Sequence, residues 1–197
     1  MDLHLYGGPK SRAFRVIWML EELRLDYRHS LAAPQSAEVR GLNGSGKIPV
    51  LVVDGTALSD STAILTFLAD RFGALTFPAG TLDRARQDGW TQLVNDEFDS
   101  VLWTASRHSF VLPEEHRVPE VKDALKWEFA RSAEKLAEKS DGPFLMGETM
   151  TIADILLTHC LGWAVVAKFP EAGPVLTEYR DRMRDRPAYR RALASAK

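Results

Sequence analysis

Four helix-capping residues, Ser59-Asp60-Ser61-Thr62, stand in front of a helical pattern that runs to about Phe72. Ser59 or Asp60 is suited to the N-cap, because either side chain can accept hydrogen bonds from first-turn N–H groups. The remaining N–H groups and the dipole of a helix start favour an anion. The Ser61 hydroxyl is then available to a ligand carboxylate, and Asp60 to a ligand ammonium group. This pair suits the α-amino-acid end of a peptide-like ligand.

Pro49 precedes the apolar run Val50–Val53, which indicates a strand. Proline cannot donate to a β ladder, so it belongs at the first residue or at an edge of a strand. A cis bond after Ile48 would turn the chain sharply and present the Val50 backbone to an extended ligand. A trans bond would simply begin the strand. The residues alone leave both forms open.

The elements that position these residues lie within the first 75 residues. Short strand patterns surround Leu3 and Leu5 and cover 27–31, and apolar residues at helical spacing extend from Ala13 to Leu23. A loop that has room for a short helix follows at 32–46. Asp54-Gly55, between two strand patterns, indicates a tight hairpin. The predicted order is βαβ followed by ββα.

The second half of the chain has a different texture. Helical periods cover about 82–112, 119–140, 151–168 and 174–186, and proline or glycine residues separate them. The predicted class is therefore α/β plus all-α. The predicted organisation is a ligand-binding domain at 1–75, a linker at 76–82 and an all-helical domain at 83–197.

Composition narrows the classes of function. The 197 residues are 45% hydrophobic, enough for a buried core, and the net charge of −2 argues against a nucleic-acid binder. A single cysteine, Cys160, excludes an intramolecular disulfide and a cysteine zinc cluster. There is no evident metal-ligand motif, signal peptide or apolar run of about 18 residues. We therefore expect a soluble cytoplasmic protein with no metal and no membrane or nucleic-acid partner.

Four segments in order resemble the glutathione transferase family, in its bacterial cytosolic form. They are LYGGPKSRAFRVIWMLEELRLDY, LNGSGKIPVL (with Gly44 where proline is common), GETMTIADILL and RPAYRRALA. The resemblance covers essentially the whole chain. It implies a thioredoxin-like domain that binds glutathione as co-substrate, a helical domain that binds a small hydrophobic electrophile, and a homodimer.

The resemblance also assigns binding residues. It implies that the Ile48–Pro49 bond is cis and that the Val50 backbone pairs with the cysteinyl part of glutathione. It implies that Asp60 and Ser61 bind the γ-glutamyl end. The glycyl carboxylate falls to Lys47, unless Lys47 is only a solvent-facing loop lysine. The implied glutathione-binding residues are Lys47, Ile48, Pro49, Val50, Asp60, Ser61 and, across a dimer, Asp99.

The residue that activates the thiol is the least defined part of the resemblance. Glutathione attacks as a thiolate, which a nearby donor or positive charge stabilises. Ser11, near the start of the first helix, is one candidate and is otherwise a plain N-cap. Tyr6 is the second, otherwise an aromatic residue packed at the end of its strand. Arg12 is the third, because it stands in the slot where some bacterial members carry cysteine.

The implied activity is that of a glutathione transferase that acts on small electrophiles, with detoxification as its role. The alternatives are a ligand carrier or regulatory partner with the same fold, and a glutathione-dependent reductase, isomerase or dehalogenase. Thr151 and Asp154 have the spacing of a capping box, which predicts a structural role at the start of a helix.

Overall fold

A computed structural model describes residues 1–139 and 142–195. The chain forms two compact units. The first contains Met1–Ala79 together with the chain from Arg184 onward, and the second contains Gly80–Met183. Within the described residues, no helix combines the length and the apolar character needed to cross a membrane.

The first unit is built on a four-stranded sheet in the order β2-β1-β3-β4. The strands are β1 (Leu3–Tyr6), β2 (Arg28–Ser30), β3 (Val50–Val53) and β4 (Thr56–Ser59), and the helices among them are α1 (Ala13–Glu22), α2 (Ala37–Leu42) and α3 (Ser61–Phe72). β1 runs parallel to β2, with α1 as the crossover, and antiparallel to β3, which forms a hairpin with β4. The predicted βαβ and ββα order is confirmed.

Alternation in β1 assigns its two faces. Leu3 and Leu5 are buried, whereas His4 and Tyr6 are only half-buried on the other face. α1 supplies a continuous buried surface to the core, and the buried face of α3 includes Ile64, Leu65 and Leu68. The sheet and these two helices therefore fix where β1 ends and where α1 and α3 begin.

The last helix, α9 (Pro187–Ser195), packs on α1. The Tyr189 ring meets Phe14 and Trp18 edge-on, with centroids 5.1 and 4.9 Å away. From the sequence, Pro187 is expected to separate two helices, and all of 83–197 is expected to lie in the helical domain. Pro187 does separate two helices, and it is itself the first residue of α9, because proline at the first helical position gives up only an N–H that has no intrahelical partner. α9 belongs with the first unit.

The second unit is helical, as predicted. Its elements are α4 (Leu82–Val94), a π-helical segment (Asn95–Asp99), α5 (Ser100–Ser106), a second π-helical segment (Arg107–Val111), a 3₁₀ turn (Glu114–His116), α6 (Val121–Lys139), α7 (Ile152–Val166) and α8 (Gly173–Arg184). The helix predicted over 82–112 is therefore interrupted once by π geometry and ends in a second π-helical segment, which apolar spacing does not reveal. Position 140, the predicted end of the next helix, lies outside the described residues.

The capping box at the start of α7 is confirmed. One carboxylate oxygen of Asp154 accepts from the Thr151 N–H at 2.7 Å, and the other accepts from the Leu145 N–H at 2.8 Å and from the Tyr179 hydroxyl at 2.7 Å. Asp154 is fully buried. It thus joins the turn before α7, the start of α7 and the middle of α8, which is a structural role.

Candidate functional site

The start of α3 is capped by Asp60. Its Oδ1 accepts from the N–H groups of Thr62 and Ala63 at 2.8 and 3.1 Å, and its carbonyl accepts from the Ile64 N–H. Asp60 has a φ of 71°, a left-handed value that is uncommon outside glycine. Within the described residues, the Ser61 N–H is the first-turn donor that none of these bonds uses. It is the position where an anion would bind.

The Ser61 side chain is more enclosed than the sequence analysis expected. Ser61 is only 2% exposed, and its Oγ accepts a hydrogen bond from Nη1 of Arg15 at 3.2 Å. Arg15 lies in α1 and is 1% exposed. Sequence reasoning missed this residue. The available signal was an arginine inside a run of apolar helix positions, where a charge is costly unless hydrogen-bonded.

The Ile48–Pro49 peptide bond is cis, as predicted. Val50, however, lies inside the sheet, paired with Tyr6 of β1 and with Ser59 of β4. Its backbone therefore belongs to the sheet and does not face an incoming peptide, which corrects the expectation for Val50. Among the described residues, no hydrogen bond occupies the N–H or the carbonyl of Ile48. Ile48, half-buried just before β3, is the residue with backbone groups to offer.

Gly7 brings the end of β1 close to this segment. A Cβ placed on Gly7 would lie 2.9 Å from the Cβ of Ala13 and 3.1 Å from the Cβ of Ile48. The φ of Gly7 is 135°, a value that residues with a side chain rarely adopt. The small size of Gly7 therefore allows the start of α1 and the segment before β3 to meet at the end of β1.

Lys47 is exposed beside that segment. Its carbonyl accepts from the Asn43 amide at 2.9 Å, so the loop backbone is held while the side chain extends into solvent. In the part of the chain that the structure describes, the Lys47 ammonium group forms no ion pair. It is available to a ligand carboxylate and equally able to remain hydrated.

Ser11 lies in the turn before α1. Its hydroxyl donates to the Gly8 carbonyl at 2.6 Å, and its Oγ accepts from the Ala13 N–H at 3.1 Å. The helix begins at Ala13 with Arg12, half-buried, in the N-cap position. Ser11 is therefore a turn residue ahead of the N-cap, at the same end of α1 as Gly7.

Tyr6 points toward α2. Its hydroxyl is 3.0 Å from Nδ1 of His4, whose Nε2 is 2.9 Å from the Ser30 hydroxyl, and the Tyr6 ring packs against a cluster that contains Val39 and Val50. Burial and the nearby Arg28 lower the pKa of His4, which favours the neutral ring in this chain. These contacts are those of an aromatic residue packed at the end of a strand.

Asp99 lies in the second unit, in the first π-helical segment. It is half-buried, and its Oδ2 accepts from the Cys160 thiol at 3.9 Å. Its proposed contact with glutathione in a dimer stays a prediction. Within the described residues, no group of three or more histidine, cysteine or acidic side chains is placed to hold a metal ion.

Comparison with known proteins places this geometry in a family. The glutathione S-transferase N-terminal domain matches residues 11–71, and the glutathione S-transferase C-terminal domain matches residues 111–195. Glutathione S-transferase 2 of Anopheles gambiae is 30% identical over 180 residues, which cover 85% of this chain and 82% of that protein. The chain belongs to the glutathione S-transferase family. The predicted resemblance is confirmed.

Solved structures of glutathione transferases share the whole fold. The enzyme from Methylococcus capsulatus superposes with a TM-score of 0.87 at 25% identity, over 98% of both chains. A sphingomonad glutathione S-transferase, solved in complex with glutathione, has a TM-score of 0.85 at 25% identity, also over 98% of both chains. The thioredoxin-like sheet followed by a helical domain is therefore the architecture of this chain.

Proposed function

We propose that this chain binds glutathione in its first unit and uses the glutathione thiolate to attack small hydrophobic electrophiles. The start of α3 carries the proposal. Ser61 there has an N–H and a hydroxyl proton that no described protein group accepts, beside the exposed carboxylate of Asp60. Two donors next to one acid match the carboxylate and ammonium groups of a γ-glutamyl residue. The sphingomonad relative that binds glutathione supports this assignment.

The remaining contacts follow from the first. The Ile48 N–H and carbonyl would pair with the cysteinyl residue as an added strand does. Pro49, the next residue in the chain, is buried and holds the direction of the Ile48 backbone. Lys47 would reach the glycyl carboxylate. In this pose the glutathione sulfur lies near the turn at Ser11, where the Ser11 hydroxyl, Arg12 and the start of α1 are the candidates to stabilise the thiolate.

A second candidate function is a glutathione-binding protein without conjugating activity. One observation favours it. The hydroxyls of Ser11 and Tyr6 are both engaged inside the protein, with Gly8 and His4 respectively. A thiol that gains no donor at the sulfur keeps its proton near neutral pH and reacts slowly. Binding and catalysis therefore need separate measurements.

Calorimetry with glutathione tests binding. We expect wild type to bind and Ser61→Ala to bind at least about tenfold more weakly, because a hydrogen bond to a charged group is lost. Wild-type affinity in Ser61→Ala would overturn this assignment of the γ-glutamyl contact.

A thiol-consumption assay over a panel of alkyl halides, activated alkenes and peroxides then tests catalysis. Turnover of at least one class supports a transferase. Binding without turnover across the panel supports the carrier.

We further propose a cytoplasmic homodimer. Symmetric pairs are the commonest assemblies, and a chain with a single cysteine suits a reducing compartment. Asp99 of one copy would then approach the γ-glutamyl ammonium group bound by the other. Light scattering at micromolar concentration that reports a monomer would count against the dimer and against this role of Asp99.

A further inference from the structure

Arg15 is the buried charge beside the proposed γ-glutamyl contact. We infer that Arg15 is a positioning residue, which fixes the direction of the Ser61 hydroxyl so that Ser61 donates to a ligand carboxylate. The inference rests on the proposed glutathione site, since it describes how that site selects a carboxylate. Arg15 itself is not required to touch the ligand.

The hydrogen bond between Arg15 and Ser61 can have only one direction. Nη1 of Arg15 lies 3.2 Å from the Ser61 Oγ, and both residues are almost fully buried, at 1% and 2% exposure. A guanidinium group has N–H donors and no acceptor. The Ser61 oxygen must therefore accept in this contact, and its own proton must point elsewhere.

The proton of the Ser61 hydroxyl has no acceptor among the described residues. Among the described residues, the bond from Arg15 is the only hydrogen bond of the Ser61 hydroxyl. The Ser61 N–H is also unused, because Asp60 caps the N–H groups of Thr62 and Ala63. Ser61 thus presents two donors, one from the backbone and one from the side chain, from a single residue.

Two donors on one residue suit an acceptor-only ligand group. A carboxylate has lone pairs and no proton, so it satisfies both donors of Ser61 at once. A serine hydroxyl without Arg15 is free to rotate and to accept from a ligand N–H. Fixing the rotor before binding removes an ordering cost and disfavours ligands with a neutral or cationic group at this position.

Three substitutions separate polarity from packing. Arg15→Lys keeps a donor-only group, Arg15→Gln offers both a donor and an acceptor, and Arg15→Met offers neither while it fills similar space. Thermal unfolding of each variant reports whether the fold survives. Where Arg15→Met fails to fold, the comparison of Arg15→Lys with Arg15→Gln carries the test, because both retain polar contact with Ser61.

The readout is calorimetry with two ligands. One is glutathione, and the other is 4-aminobutyryl-cysteinyl-glycine, which lacks only the γ-glutamyl carboxylate. We expect Arg15→Met and Arg15→Gln to weaken glutathione binding by about tenfold and to leave the analogue unchanged, while Arg15→Lys stays within about threefold of wild type. In Ser61→Ala, a further Arg15→Met change should have no additional effect on glutathione.

Two results would overturn the inference and leave the proposed function standing. One is equal weakening of both ligands in folded Arg15 variants, which marks a structural role. The other is wild-type affinity for glutathione in Arg15→Gln or Arg15→Met. Failure of the wild-type chain to bind glutathione at all would instead overturn the proposed function itself, and the role of Arg15 with it.

Discussion

The Ser11 hydroxyl donates to the carbonyl oxygen of Gly8 across 2.6 Å. The Ser11 N–H also points to that oxygen, at 3.2 Å. Both donors of Ser11 therefore serve the turn before α1 when no ligand is bound. A thiolate nearby would have to draw the hydroxyl away from a neutral acceptor, and a charge-assisted bond is the stronger of the two.

This exchange limits what Ser11 can contribute to thiol activation. We expect Ser11→Ala to raise the pKa of bound glutathione by about one pH unit or less, since one bond is gained only as another is lost. Tyr6→Phe should leave that pKa unchanged, because the Tyr6 hydroxyl is bound to His4. Thiolate absorbance against pH measures both. A rise only in Tyr6→Phe would transfer the role to Tyr6, and no rise in either would favour Arg12 or a backbone N–H.

Lys47 should contribute a small, salt-sensitive part of glutathione affinity. We expect Lys47→Met to weaken binding by about threefold at about 0.02 M salt and hardly at all at about 1 M, since an exposed charge is screened. Glutathione whose glycyl carboxylate has been converted to a neutral amide should bind wild type and variant with equal affinity. Lys135→Met, an exposed lysine of α6, is the matched control. Identical affinities for glutathione in Lys47→Met and wild type would show that Lys47 is only a solvent-facing residue.

Asp154 should couple stability to pH in an unusual direction. Burial raises the pKa of Asp154, although hydrogen bonds from Leu145, Thr151 and Tyr179 oppose this in part. An acid whose pKa is raised by folding keeps its proton up to a higher pH in the folded state than in the unfolded state. Its contribution to stability is therefore fully present below about pH 4 and declines as the pH rises toward the folded pKa.

The variant Asp154→Asn isolates this effect. We expect it to be less stable than wild type by about 2 kcal/mol at neutral pH, because its amide turns a donor toward the Thr151 N–H. The difference should be larger in acid and shrink as the pH rises. Denaturant unfolding from acid to neutral pH measures it. A difference that grows with pH would mean that folding lowers the pKa of Asp154.

Tyr189 should hold α9 on α1. Tyr189→Ala removes a ring that contacts Phe14 and Trp18, and we expect a loss of about 2–3 kcal/mol in the free energy of unfolding. Tyr189→Phe keeps the ring and should stay within about 0.5 kcal/mol of wild type. Arg190→Ala, an exposed position on the same helix, is the control. Wild-type stability in Tyr189→Ala would show that α9 adds nothing to the first unit.

The sequence predicted those features that depend on periodicity or on one strong local signal. Apolar spacing predicted α1, and Asp54-Gly55 predicted the β3–β4 hairpin, because each pattern has few other solutions. The contact between Arg15 and Ser61 was not predictable in this way. It joins residues 46 positions apart, and an arginine in a helix has no marker of burial until the partner helix is in place.

Two other features could not be predicted from the sequence, for local reasons. Pro187 looks the same in sequence whether it ends one helix or begins the next. The π-helical segments depend on a shift in hydrogen bonding that leaves the apolar spacing almost unchanged. The resemblance supplied the cis bond at Pro49, for which the residues alone left both forms open.

The position of α9 has a consequence for how the chain is made. A ribosome releases the N-terminal residues first, and domains generally begin to fold as they emerge. Here the sheet, α1 and α3 are all synthesised more than a hundred residues before Tyr189 and Arg186. The Tyr189 ring covers Trp18, and Arg186 forms an ion pair with Glu22. The nascent first unit must therefore wait, with part of α1 exposed, until α9 has been synthesised. Premature termination between Ala79 and Pro187 would leave the proposed glutathione-binding unit without the helix that covers α1.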